Sequence, residues 1–123
     1  MDLLAIFTLI SLQYGIPEGL LSAMCYTESN HRNVVRHFDG GTGHSRGVCQ
    51  VKKIVARQVG MDKANLMNPR ENIEIAAKYL VYQKNRYGTW HQGIVSYNRG
   101  KSSGRTKTNI YFRKVMLNWS EGR

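Results

Sequence analysis

The chain has 123 residues and carries a formal net charge of +10 at pH 7. A hydrophobic content of 41% with two prolines is typical of a folded globular protein and excludes an intrinsically disordered chain. The length suits one core, so we predict a single domain over residues 1–123. The charge indicates an acidic partner: nucleic acid, an anionic membrane surface or an acidic cell-wall polymer.

Apolar residues recur at helical spacing along the chain, and no segment shows the alternation of a strand. Asn68 and Pro69 form a strong helix start, and Gly88 ends that helix. We therefore predict a mainly α domain. The predicted helices cover residues 2–13, the segment starting at Pro17, residues 49–59, residues 69–87, residues 90–98 and a last helix carrying Phe112, Val115, Met116 and Trp119.

The first ten residues are apolar but differ from a signal peptide, because they lack a basic region, include Asp2 and precede no small-residue cleavage site. No run of about 18 apolar residues occurs, so the sequence predicts no transmembrane helix. We read this segment as a buried first helix and expect no export signal.

The two cysteines, Cys25 and Cys49, are too few for a disulfide framework. They can pair with each other or stay as buried thiols. We favour buried thiols, because free cysteine is among the most buried residue types.

Glu28 stands at the polar end of an apolar helical stripe. Leu21, Met24 and Cys25 share its helical face, so the carboxyl is carried to the edge of the core. Partial desolvation there raises a carboxyl pKa toward the range of a general acid. The plain alternative is a solvated glutamate at a helix end. A polar, glycine-rich loop follows over residues 30–47, and a loop of this length in a small domain is usually functional or disordered.

Three further segments with polar side chains stand out besides Glu28. Gln50 follows the long loop and can bind sugar hydroxyls or amides. Tyr97 and Asn98 stand together at a predicted helix end, and Tyr111 begins the last helix. Each segment alone is also an ordinary helix start, helix end or packing tyrosine.

In this order, the segments resemble the soluble lytic transglycosylase family. The matching motifs are Glu28-Ser29, Gly47-Val48-Cys49-Gln50-Val51, Asn72-Ile73 with the following Tyr79-Leu80, Tyr97-Asn98-Arg99-Gly100, and the late Tyr111. The resemblance covers roughly residues 14–117. It implies a lysozyme-like fold, an enzyme without a cofactor, and cleavage of the bond between N-acetylmuramic acid (MurNAc) and N-acetylglucosamine (GlcNAc) in peptidoglycan, with a 1,6-anhydro sugar as product.

Carried over residue by residue, the resemblance makes Glu28 the catalytic acid and then the base. Gln50, Tyr97 and Asn98 hold the glycan, and Tyr111 helps to set the protonation of Glu28. The stretch from Glu28 to Gln50 is longer than usual, and Ser45 is the nearest candidate for the family's loop serine.

The chain also departs from the family pattern. Lys52-Lys53 stand where Met-Pro is usual, Cys49 replaces a methionine, and Arg99 replaces an alanine. We expect the fold to survive these changes and the subsite preferences to differ.

Four competing hypotheses remain open. A hydrolytic muramidase like the goose-type lysozymes would use Glu28 with Asp39, although Asp39-Gly40-Gly41 is also a strong turn signal. A nucleic-acid-binding module would explain the charge, but the chain has no recognition motif. A non-catalytic wall-binding domain would not need Glu28. A metal site would use the set His31, His37, His44 and Cys49, whose spacings match no compact metal motif, so we predict no metal.

We therefore predict a monomeric enzyme whose partner is the glycan strand of peptidoglycan and not nucleic acid. It would act in the periplasm or cell wall. The small size, the basic charge and the absence of an export signal favour a phage lysis or virion-associated enzyme. A wall-opening enzyme of a secretion or conjugation system, trimmed of its leader, is the other context.

Overall fold

The structure of the protein is a computed structural model, and it describes residues 2–36, 43–99 and 109–123. These residues form six helices and two short strands. The helices are α1 (Leu3–Tyr14), α2 (Leu20–Ser29), α3 (Lys53–Gln58), α4 (Pro69–Tyr87), α5 (Trp90–Arg99) and α6 (Ile110–Ser120). The strands are β1 (Val34–Arg36) and β2 (Ser45–Gly47).

The long helix α4 organises the packing. It contacts α1 on one side and α5 on the other, while α2 packs against α6. The residues at the centre are fully buried and apolar, as a close-packed core requires. They include Leu20, Leu21, Ile73, Ala76, Leu80 and Ile94. The mainly α prediction is confirmed.

Helix ends follow the local chemistry of the sequence where a cap defines them. The Asn68 side chain accepts a hydrogen bond from the Glu71 N–H, and Pro69 is the first helical residue of α4. Gly88 ends α4 in the left-handed conformation, with φ 94°. The predicted α4 boundaries are therefore confirmed.

The second helix starts later than predicted. Gly19 occupies the N-cap position with φ 82°, and the Leu20 N–H donates to the Pro17 carbonyl in a turn. Pro17 therefore precedes α2 instead of opening it.

The prediction of one helix over residues 49–59 was wrong in its first part. Gln50 has φ 53°, which an α-helix does not accommodate, and Val51 forms a β-bridge with Arg46. The helix begins only at Lys53.

The prediction of no strand was also wrong. β1 and β2 pair antiparallel, with Val34 opposite Gly47 and Arg36 opposite Ser45. Strands of three residues are too short to show alternation in the sequence. This small sheet lies within the segment that we predicted to be loop.

The expectation of free thiols was wrong. Cys25 and Cys49 form a disulfide, with their Cα atoms 4.3 Å apart, and both are buried. The bond joins α2 to the turn after β2. Sequence spacing did not reveal the pairing, because only the folded chain brings this turn against α2.

No helix among the described residues is long and apolar enough to cross a membrane.

Gly47 offers a test of how tightly the turn after β2 is packed. A Cβ at Gly47 would lie 2.2 Å from Asn72 Nδ2 and 2.6 Å from the Leu66 carbonyl oxygen. Gly60 has a similar φ, +80° against +82°, but open space around it. We expect Gly60→Ala to cost about 1 kcal/mol of unfolding free energy through backbone strain alone. Gly47→Ala should cost roughly 1–3 kcal/mol more, because the methyl group overpacks the turn.

Urea unfolding of both variants measures the two costs. Equal losses would contradict the close approach of Asn72 to the turn.

Candidate active site

Glu28 lies in the last turn of α2, where the helix leaves the core. Leu21, Met24 and Cys25 are buried on the same face. Asn30 ends the helix in the left-handed conformation, and its N–H donates to the Tyr26 carbonyl at 2.7 Å. Glu28 is therefore placed at the boundary between core and solvent, as its sequence position predicted.

The turn from Gly47 to Gln50 faces Glu28 across the disulfide. Gln50 Nε2 donates to the carbonyl oxygens of Val34 and Gly47, both at 2.9 Å. The donor end of the amide is thus used by the backbone. Gln50 Oε1 is buried and has no hydrogen-bond partner in the described structure.

Asn72 of α4 holds this turn from the core side. Its Oδ1 accepts from the Cys49 N–H, and its Nδ2 donates to the Arg46 and Leu66 carbonyls, all at 2.8 Å. Asn72 is fully buried, so these hydrogen bonds compensate the burial of its amide. We assign it a structural role beneath the site.

Ser29 gives the turn a second attachment to α2. Its hydroxyl donates to the Val48 carbonyl, and it is almost fully buried. The resemblance placed Ser29 directly after the catalytic glutamate, and its contacts here are those of a residue that positions the backbone.

A cleft of about 390 Å³ opens between α2, the turn after β2, α4 and α5. It is lined by five of the six predicted site residues, namely Glu28, Ser45, Gln50, Tyr97 and Asn98. A hollow of this size is within the range of ligand sites. The structure therefore brings together residues that are up to 70 positions apart in the sequence.

Tyr111, the sixth predicted residue, is not on the cleft wall. It lies on α6, partly buried against the core, with its hydroxyl buried beside Glu28. The hydroxyl is close enough to favour the carboxylate form of Glu28, although it has no partner that meets regular hydrogen-bond geometry. Tyr111 therefore influences Glu28 from outside the cleft lining.

Burial raises the pKa of Glu28 from its ordinary value near 4.5 to about 7. Two weaker effects oppose this rise: the Tyr111 hydroxyl favours the carboxylate, and so does the positive charge of Arg36. Burial also raises the pKa values of the Tyr97 and Tyr111 hydroxyls, and the charge of Glu28 adds to the rise. Both phenols therefore stay protonated near neutral pH and are available as hydrogen-bond donors.

Several cleft residues had no site role assigned from the sequence. Tyr79 of α4 is one of them: its ring lies 5.4 Å from that of Tyr97, and its hydroxyl accepts from Gln83 Nε2 at 2.8 Å. The signal was its place in the Tyr79-Leu80 motif. The other unassigned lining residues are Val51, Lys52, Val55 and Arg99.

His37 and Asp39 lie outside the described residues. The hydrolytic alternative, which would use Asp39, therefore remains a prediction. The sulfur of Cys49 is bonded to Cys25, which removes it from the candidate metal set. Within the ranges that the structure describes, no three metal-binding side chains converge.

A second depression of about 460 Å³ lies beside α3, lined in part by Arg46, Lys53 and Asp62. It contains none of the predicted site residues. Greater volume alone does not make it the active site, because it lacks the group of Glu28 and buried tyrosines.

The mainly helical domain, with a half-buried glutamate in a polar cleft, agrees with the lysozyme-like enzymes that the motifs resemble. The family model described as "Transglycosylase SLT domain" matches residues 6–116, and the chain belongs to this family. It is therefore a peptidoglycan lytic transglycosylase that acts on the cell wall, and the predicted family resemblance is confirmed. Comparison with curated proteins gives no match.

The raised pKa of Glu28 makes folding stability depend on pH. The folded state holds a proton on Glu28 up to about pH 7, whereas the unfolded chain releases it near pH 4.5. The contribution is therefore fully present below pH 4.5 and is lost as the pH rises through 7. The wild type should lose this contribution between pH 4.5 and 7, whereas Glu28→Gln has no carboxyl there to ionise. We therefore expect the difference in unfolding free energy between the two proteins to shift by roughly 2 kcal/mol in favour of Glu28→Gln over this range, after allowance for partial solvent exposure.

Urea unfolding at both pH values measures this gain. Glu18→Gln, on an exposed residue, is the control for loss of one carboxyl. A pH-independent difference between Glu28→Gln and the wild type would contradict the desolvation of Glu28.

Proposed function

We propose that the enzyme cleaves the MurNAc-β-1,4-GlcNAc bond and forms a 1,6-anhydroMurNAc end, with Glu28 as the single catalytic acid and base. The observation that carries this proposal is the state of Glu28. It is the one carboxyl among the described cleft-lining residues, and its pKa of about 7 lets it both hold and release a proton near neutral pH.

The first chemical step needs Glu28 in its protonated form. Its proton passes to the glycosidic oxygen, the bond from this oxygen to C1 of MurNAc breaks, and GlcNAc leaves with a free 4-hydroxyl. The substrate's own N-acetyl group stabilises the cationic C1, taking the part that a second carboxylate plays in most glycosidases. Burial serves this step because it keeps the proton on Glu28.

The second step needs Glu28 as a carboxylate. It removes the proton of the MurNAc 6-hydroxyl, whose oxygen then bonds to C1 and closes the anhydro ring. Glu28 regains its proton, so the cycle is balanced without water or a cofactor. Arg36 and the Tyr111 hydroxyl support this step, because both favour the ionised form.

The remaining predicted residues would bind the glycan. We propose that Gln50 contacts the glycan through the part of its side chain that lines the cleft, because its donor group is occupied and its Oε1 is buried. Tyr97 and Asn98 stand at the end of α5 and would bind along the cleft, with Ser45 on the opposite wall. The ring of Tyr79 packs at a tilt against that of Tyr97 and helps to position it.

We further propose that residues 1–123 form one catalytic domain that works as a monomer in the periplasm or cell wall. The charge of +10 is the feature that supports a phage lysis or virion-associated role.

Glu28→Gln tests the proposal most directly. We expect turnover of purified peptidoglycan to fall at least about a thousandfold, because general acid and base steps are each worth roughly 10²–10⁴-fold. Binding to wall sacculi should persist, since the amide keeps the shape of the side chain. Mass spectrometry of the wild-type products should show anhydro-ended sugars, lighter by one water than reducing ends.

Two results would contradict the proposal. Near wild-type activity of Glu28→Gln would remove Glu28 from the chemistry. Reducing ends in the wild-type products would make the enzyme a hydrolase, and Asp39 would then be the residue to mutate.

The pH dependence of activity gives a second test. Because the first step needs protonated Glu28, kcat/KM should decline above about pH 7, approaching a tenfold loss per pH unit. Tyr111→Phe removes a group that lowers the Glu28 pKa, so the declining limb should move to higher pH. Tyr87→Phe, remote from the cleft, is the matched control. An unshifted limb in Tyr111→Phe would contradict the influence of Tyr111 on Glu28.

A further inference from the structure

Positive charge surrounds the cleft on three separate elements. Lys52 precedes α3, Arg99 ends α5, and both line the cleft. Arg36 of β1 lies near enough for its charge to act on Glu28. Binding of neutral sugars does not require any of these charges.

The balance of charge in the cleft changes during the proposed reaction. Glu28 is the one acid among the described lining residues. When it is protonated for the first step, the described lining residues carry positive charge at Lys52 and Arg99 and no negative charge. A bound group carrying negative charge would be attracted to this part of the cleft.

Arg99 is the best placed of these cations to meet a substrate. It follows Tyr97 and Asn98 directly and is exposed at the mouth of the cleft. Within the described ranges, the salt bridge found is that between Arg123 and Glu121, so no protein carboxylate there neutralises Arg99. A guanidinium with free donors binds carboxylates in a bidentate manner.

We propose that Arg99 forms a cationic subsite for the carboxylates of peptide stems, with Lys52 adding positive charge to the same cleft, so that the enzyme selects peptide-bearing glycan strands. This inference rests on the proposed function. In peptidoglycan the stem is attached to the lactyl group of muramic acid, the sugar whose bond is cleaved. A glycan seated over Glu28 therefore presents its stem beside the cleft mouth.

The subsite also accounts for two departures from the family pattern noted in the sequence. Lys52 and Arg99 stand where methionine and alanine are usual, and the structure places both on the same cleft. The two substitutions thus add charge at one place.

The test compares native peptidoglycan with peptidoglycan whose carboxyl groups have been amidated with a carbodiimide and methylamine. For the wild type we expect kcat/KM to be about two- to fivefold higher on native material, mainly through KM, as one exposed ion pair allows. In Arg99→Ala this ratio of kcat/KM values should fall toward one. In the double variant K52M/R99A it should fall at least as far. Salt should weaken the preference of the wild type.

Arg57→Ala is the matched control. It removes one exposed positive charge from α3 at a residue that does not line the cleft, and it should keep the wild-type preference.

Three outcomes would overturn the proposal. These are equal rates of the wild type on both substrates, an undiminished preference in Arg99→Ala, and an equal loss in Arg57→Ala and Arg99→Ala, which would indicate a general effect of basic charge. If added wall phosphate polymers raised kcat/KM on amidated peptidoglycan to the value for native peptidoglycan, the peptide stem would also be rejected as the ligand. Anhydro-ended products in any of these cases would leave the proposed function standing.

Discussion

The cleft depends on one buried side-chain amide, that of Asn72. Its three hydrogen bonds hold the turn after β2 against the long helix α4. This turn also carries Gln50. The backbone of Gln50 is left-handed, and its side chain donates a hydrogen bond to the Val34 carbonyl of β1. Because Gly47 leaves no room for a methyl group beside Asn72, the contact fixes the turn in one position. The wall opposite Glu28 is therefore built from the core outward.

The pKa of Glu28 reflects a balance between desolvation, which raises it, and the nearby hydroxyl and positive charge, which lower it. Full burial without compensation would keep it protonated and make it a poor base, whereas full exposure would make it a poor acid at neutral pH. The edge of the core, one tyrosine hydroxyl and one arginine together bring its pKa to about 7. In the proposed mechanism, this pKa allows a single carboxyl to serve two opposite steps.

The sequence predicted those features that local chemistry determines. The Asn68 cap and the Gly88 end set the limits of α4 without help from the rest of the fold. The order of the motifs also predicted five of the residues that line the cleft. By contrast, the backbone of Gln50 is set by partners far away in the chain, so the predicted helix over residues 49–59 failed at its start. The strands were too short for a periodic signal, and the disulfide depends on the packing of α2 against that same turn.

The disulfide makes the stability of the cleft depend on the redox conditions around the enzyme. It joins the helix of Glu28 to the turn of Gln50, so the two sides of the cleft share a covalent link. Such bonds persist in oxidising surroundings and are kept reduced in bacterial cytosol. Peptidoglycan lies on the oxidising side of the inner membrane. At the proposed location, the covalent link between the two sides of the cleft is therefore stable in the same compartment as the substrate.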